Sequence, residues 1–105
     1  MILETFSRAT SLVSAATATG AGSAAGIKTV NRTYQAFLST STTPAATVNV
    51  EASNDGTHWV VLGTITLSGS AATDGFASYG AWLYDRGNVT AISGAVATVT
   101  LLRGE

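Results

Sequence analysis

The 105-residue chain contains no cysteine, one proline (Pro44), one histidine (His58) and one methionine. Without cysteine there is no disulfide framework, no thiolate metal site and no cysteine nucleophile, and the redox compartment stays open. Charged side chains make up 10 % of the residues, far below the ~25 % usual for a soluble domain. The five basic residues, Arg8, Lys28, Arg32, Arg86 and Arg103, are scattered, whereas nucleic-acid binding needs Lys and Arg gathered into a patch facing phosphates. No apolar run approaches the ~18 residues of a membrane helix. The first residues lack a basic segment leading into an apolar run, and Glu4 interrupts them, so no secretory leader is expected.

What remains is apolar and hydroxyl-rich. Hydrophobic residues are 46 % of the chain and the net charge is −1. Disorder requires the opposite balance, low hydrophobicity with high net charge, so the chain is expected to fold. Its length suits one domain. A surface with so little charge does little to keep copies apart, which favours association.

Composition changes near Asn31. Before it lies a stretch rich in Ala, Thr, Ser and Gly. Gly20, Gly22 and Gly26 would each weaken a helix by about 1 kcal/mol. Residues 1–30 are therefore expected as an extended arm, with short strands at Met1–Ser7 and Ser11–Thr17 and a flexible Gly20–Gly26 loop, separable from a domain over residues 31–105.

After Asn31 the hydrophobic period becomes two, the signature of half-buried strands. Tyr34, Ala36 and Leu38 alternate with Gln35, Phe37 and Ser39, and Pro44 marks the end of that run because it lacks a ladder N–H. Ala46, Val48, Val50 and Ala52 alternate with Thr47, Asn49, Glu51 and Ser53. Asn54-Asp55-Gly56 then predicts a type I′ hairpin turn, with a return strand from His58-Trp59 through Leu62; after Gly63, Thr64–Leu67 continues it or starts another. Phe76–Tyr84 reads as an aromatic strand, broken or bulged at Asp85–Asn88. Ser93-Gly94 is a second turn, and Val96, Thr98 and Thr100 alternate with Ala97, Val99 and Leu101 in a closing strand. Short strands at this spacing predict an all-β fold, a single sandwich of jelly-roll-like or immunoglobulin-like order.

Chemistry has little to work with. A nucleophile needs a base within hydrogen-bond reach; the sole histidine, His58, stands beside a turn, where Asp55 is near enough for a local contact. No two acids are paired by spacing as a glycosidase requires. Asn54-Asp55-Gly56 lacks the later oxygen ligands of a calcium loop. Gly20-Ala21-Gly22 lacks the strand, third glycine and helix of a dinucleotide fingerprint. The expectation is a non-enzymatic protein with no cofactor and no metal.

The aromatic residues are the other informative group. Trp59, Tyr79, Trp82 and Tyr84 are candidates for the core, for a protein interface or for a platform that stacks sugars. In one continuous strand, Phe76, Ser78, Gly80, Trp82 and Tyr84 would share a face opposite Tyr79. Arg86, beside Asp85, is a candidate for a polar contact between subunits.

The run Val50-Glu51-Ala52-Ser53-Asn54-Asp55-Gly56-Thr57-His58-Trp59, then Leu62-Gly63-Thr64, Trp82-Leu83-Tyr84, Arg86 and Val89-Thr90-Ala91-Ile92-Ser93-Gly94, resembles small virion proteins of tailed bacteriophages. The resemblance covers Val48–Leu101, about half the chain, and is greatest to capsid decoration (cement) proteins. It implies a β-sandwich on the capsid surface, assembled in the host cytoplasm. It also implies binding between major capsid protein subunits as a homo-oligomer such as a trimer; from charge and hydropathy, neither nucleic acid nor membrane is expected as a partner. The alternative is a carbohydrate-binding or fibre/tail adhesion module using Trp59 or Trp82.

Overall fold

The computed structural model describes residues 8–39, 44–94 and 96–105; the strand expected at Met1–Ser7 lies outside them. The described residues form nine strands and no helix. In chain order these are β1 (Ala9–Ala16), β2 (Gly20–Ala21), β3 (Ala25–Gly26), β4 (Asn31–Ser39), β5 (Ala45–Ser53), β6 (Val60–Ser68), β7 (Thr73–Tyr79), β8 (Tyr84–Ser93) and β9 (Thr98–Gly104). They make two antiparallel sheets, one in the order β1-β9-β4-β7 and the other β2-β8-β5-β6, with β3 also on β8. The protein is a β-sandwich, as the period-two pattern predicts.

Alternation explains why these strands face each other. In β4, Arg32, Tyr34, Ala36 and Leu38 are buried while Asn31, Thr33, Gln35 and Ser39 are exposed. Val48 and Val50 of β5, Val89 of β8, and Val99 and Leu101 of β9 are likewise turned inward and at most 1 % exposed. The interior is built mainly from Val, Leu, Ala and Ile. At the β6–β7 edge Phe76 closes the gap between sheets, its ring 5.3 Å from that of Tyr34. A Cβ on Gly63 would sit 2.7 Å from the Phe76 ring, so glycine there leaves room for that seal.

Three expectations are corrected. Residues 8–30 are not an arm apart from the sandwich: β1 pairs along β9 from Ala9↔Gly104 to Ala16↔Val99, and Leu12 and Val13 belong to the core. The glycine-rich stretch pairs too, Gly20 and Ala21 with Val89 and Asn88, Ala25 and Gly26 with Asp85 and Tyr84. Small residues permit close backbone approach here: a Cβ on Gly22 would lie 2.6 Å from the Leu12 carbonyl oxygen. Second, Phe76–Tyr84 is not one strand. The chain leaves the first sheet after Tyr79 and enters the second at Tyr84, turning at Gly80, whose φ of +146° disfavours any residue with a side chain. Asp85–Asn88 lies within β8. Third, Asn54-Asp55-Gly56 does not form a type I′ turn. Gly56 has a positive φ of +75°, but neither Asn54 nor Asp55 does, and β5 and β6 are joined by the longer loop 54–59.

Because β1 closes a sheet and fills core volume, a chain lacking residues 1–25 is expected to lose its cooperative thermal transition, followed by circular dichroism. Leu12→Ala is expected to destabilise by about 2–4 kcal/mol, the usual range for such a truncation in a core, measured by chemical denaturation. A Leu12→Ala loss below about 0.5 kcal/mol would mean that β1 is not part of the packed interior.

Candidate interaction surface

At one end of the sandwich the hydrophobic interior gives way to charge. Arg32 (β4), Arg103 (β9) and Asp85 (β8) are 2 %, 3 % and 0 % exposed. The Asp85 carboxylate, from the second sheet, accepts hydrogen bonds from two groups of the first. These are Arg103 Nη1 to Oδ1 at 2.5 Å and the Tyr34 hydroxyl to Oδ2 at 2.8 Å. The same hydroxyl accepts from Arg32 Nε at 2.9 Å. Burial pushes the Asp85 carboxyl above its usual range, against the opposing pull of Tyr34 and Arg103. Burial also pushes the Tyr34 phenol up to about 12. Two guanidinium nitrogens, Arg32 Nη2 and Arg103 Nε, have no partner among the described residues.

The network reaches from the interior to the loops above it. Arg32 Nη1 donates to the carbonyls of Thr29 (2.9 Å) and Gly80 (2.7 Å), and Arg103 Nη2 donates to that of Gly26 (3.0 Å). Arg103 thus holds the end of β3, and Arg32 holds the β3–β4 connection, 27–30, and the β7–β8 connection, 80–83. Backbone bonds tie these connections to each other, Gly80 N to Val30 O and Ile27 N to Leu83 O, both 2.9 Å. Leu83 N also donates to Asn54 Oδ1 at 3.1 Å, joining the 54–59 loop to the group.

That loop is organised by Asp55. Its Oδ1 accepts from Ser53 Oγ and from the amides of Thr57 and His58, while Oδ2 lies 2.8 Å from His58 Nδ1. Those amides hold the Asp55 carboxyl well below the usual carboxylate range, with the His58 and Ser53 side chains adding to the effect. This is turn chemistry: a short side chain accepting from the backbone two and three residues on. His58 is exposed, and its partner is that structural carboxylate.

The three loops and the strand residues beside them carry all five interface candidates: Trp59 and Trp82 on loops, Tyr79 on β7, and Tyr84 and Arg86 on β8. Arg86, on the outer face of β8, donates from Nε to Glu51 Oε1 at 2.7 Å, and Asn88 Nδ2 donates to Oε2 at 3.1 Å. The Arg86 guanidinium carbon lies 4.2 Å from the Trp59 ring centroid. Arg86 therefore pairs with Glu51 rather than its neighbour Asp85, because successive strand residues point to opposite faces. Tyr84 flanks them, its ring 3.9 Å from where a Cβ on Gly56 would sit. Trp82 lies in the β7–β8 connection, half-buried beside the Gly80 backbone. Tyr79, 78 % exposed at the end of β7, borders a cleft of about 490 Å³ floored by Thr33, Ala77 and Gly104. Among the described residues these four aromatic side chains lie outside the core, which is occupied by aliphatic side chains and Tyr34 with Phe76 packed against them. Trp82 and Tyr84 do not share a strand face with Phe76. Exposed Val30, Val60, Val61 and Leu83 belong to the same loops or to the strand residues that follow them.

No family model matches the chain, and no curated protein matches it. Among solved structures, the SPBc2 prophage-derived protein YomS is similar, with a TM-score of 0.62 and 13 % identity over 100 % of both chains. The likeness is one of fold.

Three outcomes follow for the network and the surface. Asp85→Asn leaves Arg103 buried opposite a neutral group and is expected to cost about 3–5 kcal/mol, read by urea denaturation. A folded phenol held near 12 stays protonated while the unfolded one ionises from about 10. Its stabilising share is therefore complete below pH 10 and falls away as pH rises towards 12. The stability gap between wild type and Tyr34→Phe should narrow across that window; a constant gap would contradict this. Trp59→Ala removes a half-buried ring lying over a cation and is expected to cost about 1–2 kcal/mol, less than a core tryptophan.

Proposed function

We propose that the protein is a phage structural protein that works by protein–protein contact, decorating and stabilising a capsid by binding between major capsid protein subunits. The observation that carries this reading is the full-length likeness in fold to a prophage-derived protein. The resemblance of Val48–Leu101 to virion decoration proteins, stated on residues and not on fold, supports it independently. The surface described above suits that work. Both tryptophans stand on loops anchored from below, with Tyr79 and Tyr84 at the strand ends beside them, and rigid aromatic residues are what protein interfaces favour. The Arg86–Glu51 pair beside them gives that end a polar contact with no excess charge. In this role the protein belongs on the outer surface of the virion, with the shell protein and its own copies as partners.

A glycan-binding role would need an open aromatic face. Trp59 presents one face to Arg86, which favours the protein-contact reading.

The test is to mix purified protein with undecorated capsids and sediment them. Saturable co-sedimentation is expected, weakened at least about tenfold, equivalent to 1.4 kcal/mol, by Leu83→Asp or Tyr79→Ala. Failure to co-sediment, or binding indifferent to both substitutions, would overturn the proposal. Binding to immobilised glycans in its place would move the role to adhesion.

A further inference from the structure

A sheet edge exposes a row of unpaired backbone N–H and C=O groups, and folded proteins usually guard it with charge, bulges, proline or very short strands. Three of the four edge positions of this sandwich carry such a device. β1 has two register breaks along β9. The other end of the second sheet is covered by two separate two-residue pieces, β2 and β3. β7 carries Asp74, an exposed carboxylate that accepts from the Gly75 amide.

β6 is different. Its nine residues, Val-Val-Leu-Gly-Thr-Ile-Thr-Leu-Ser, include no charge and no proline. Among the described residues it pairs with β5 alone, and its one irregularity lies at the start, between the Val50↔Gly63 and Glu51↔Val61 pairs. From Gly63 to Ser68 it is regular, β-rich and unguarded. Val60 and Val61, each 50 % exposed, extend the apolar character to the strand's beginning.

We infer that β6 is a self-association edge, pairing antiparallel with β6 of a second copy across a two-fold axis. The register follows from the faces. Ile65 and Leu67 are buried against the interior while Thr64 and Thr66 are exposed, so an axis through Ile65 keeps every inward residue inward in both copies. That register sets Thr64 against Thr66, Ile65 against Ile65, and Gly63, the position without a side chain, against Leu67. β-branched cross-strand pairs of this kind favour pairing. No charge enters the paired stretch from either copy, and a net charge of −1 leaves little repulsion between whole molecules. The two outer sheets then run as one, β2-β8-β5-β6 continuing into β6-β5-β8-β2. Edge pairing buries far less than the ~1,600 Å² of a standard interface, so the dimer is weak in dilute solution and strengthened where copies are crowded. The inference does not depend on what the loop-end surface binds.

Sedimentation velocity across a range of concentrations tests it, using the full chain and two variants. Thr66→Lys puts a charge on the edge, and Thr90→Lys makes the same change at an exposed position of β8, away from the edge. The wild type is expected to shift towards dimer with concentration, Thr66→Lys to weaken that shift by about tenfold or more, and Thr90→Lys to leave it intact. A wild type that remains monomeric throughout overturns the inference. So does a dimer unaffected by Thr66→Lys, or one weakened equally by both variants, which would mean contact through the sheet face. Hydrogen exchange of the wild type reads the same edge without substitution: amides within 63–68 gain protection with concentration, and unchanged protection there overturns it.

Discussion

One carboxylate, Asp85, joins the two sheets at the end where the aliphatic interior runs out. Its two oxygens are shared between Arg103 and Tyr34, and Tyr34 in turn accepts from Arg32. A buried ion pair of this kind adds little net stability over a hydrophobic replacement, because desolvating both charges offsets their attraction. What it supplies is direction. A guanidinium has five N–H donors in a fixed plane, and these arginines spend theirs on the Gly26, Thr29 and Gly80 carbonyls as well as on Asp85 and Tyr34. An aliphatic side chain in either place would fill the volume and leave those carbonyls without a side-chain donor.

This relation between interior and surface explains how so small and weakly charged a protein presents ordered loops at the end proposed above for protein contact. Loops are ordinarily the mobile part of a sandwich. Here 27–30 and 80–83 are hydrogen-bonded to each other and to the arginines below, and 54–59 is joined to them through Asn54 and stiffened by Asp55. The aromatic residues on these loops thus sit on a prepared base, and ordering them on contact costs less entropy than ordering free loops would. The low surface charge follows in part from the same arrangement, since three of the chain's few ionised residues face inward.

Most of the architecture was legible in the sequence wherever one face of a strand is buried and the other wet, as in β4, β5 and β9. It was illegible where composition misled. β1 carries only Leu12 and Val13 as sizeable apolar residues, and its register breaks spoil the alternation, so it reads as an arm although it closes a sheet. Phe76–Tyr84 reads as one strand because aromatic residues continue through it, yet the backbone turns at Gly80. The Asp85 network was missed because Arg32 and Arg103 read as scattered surface charges. The signal was nonetheless present: Arg32 keeps the parity of Tyr34, Ala36 and Leu38, and Arg103 that of Val99 and Leu101. A charge in phase with the buried set is a prompt to look for its counter-charge. The five surface candidates stand out by residue type and by a strand parity that the turn at Gly80 breaks, and their meeting at one end depends on loops that no periodicity describes.

The central claim is that the buried arginines hold the loop end in place, and amide hydrogen exchange in Arg32→Met measures it most directly. Methionine fills similar space but cannot donate to the Thr29 and Gly80 carbonyls. The account predicts that the Ile27, Gly80 and Leu83 amides lose protection while amides in the middle of β5 and β8 keep theirs relative to the variant's global stability. Loop protection unchanged from wild type, or a uniform loss across the whole protein, would contradict it.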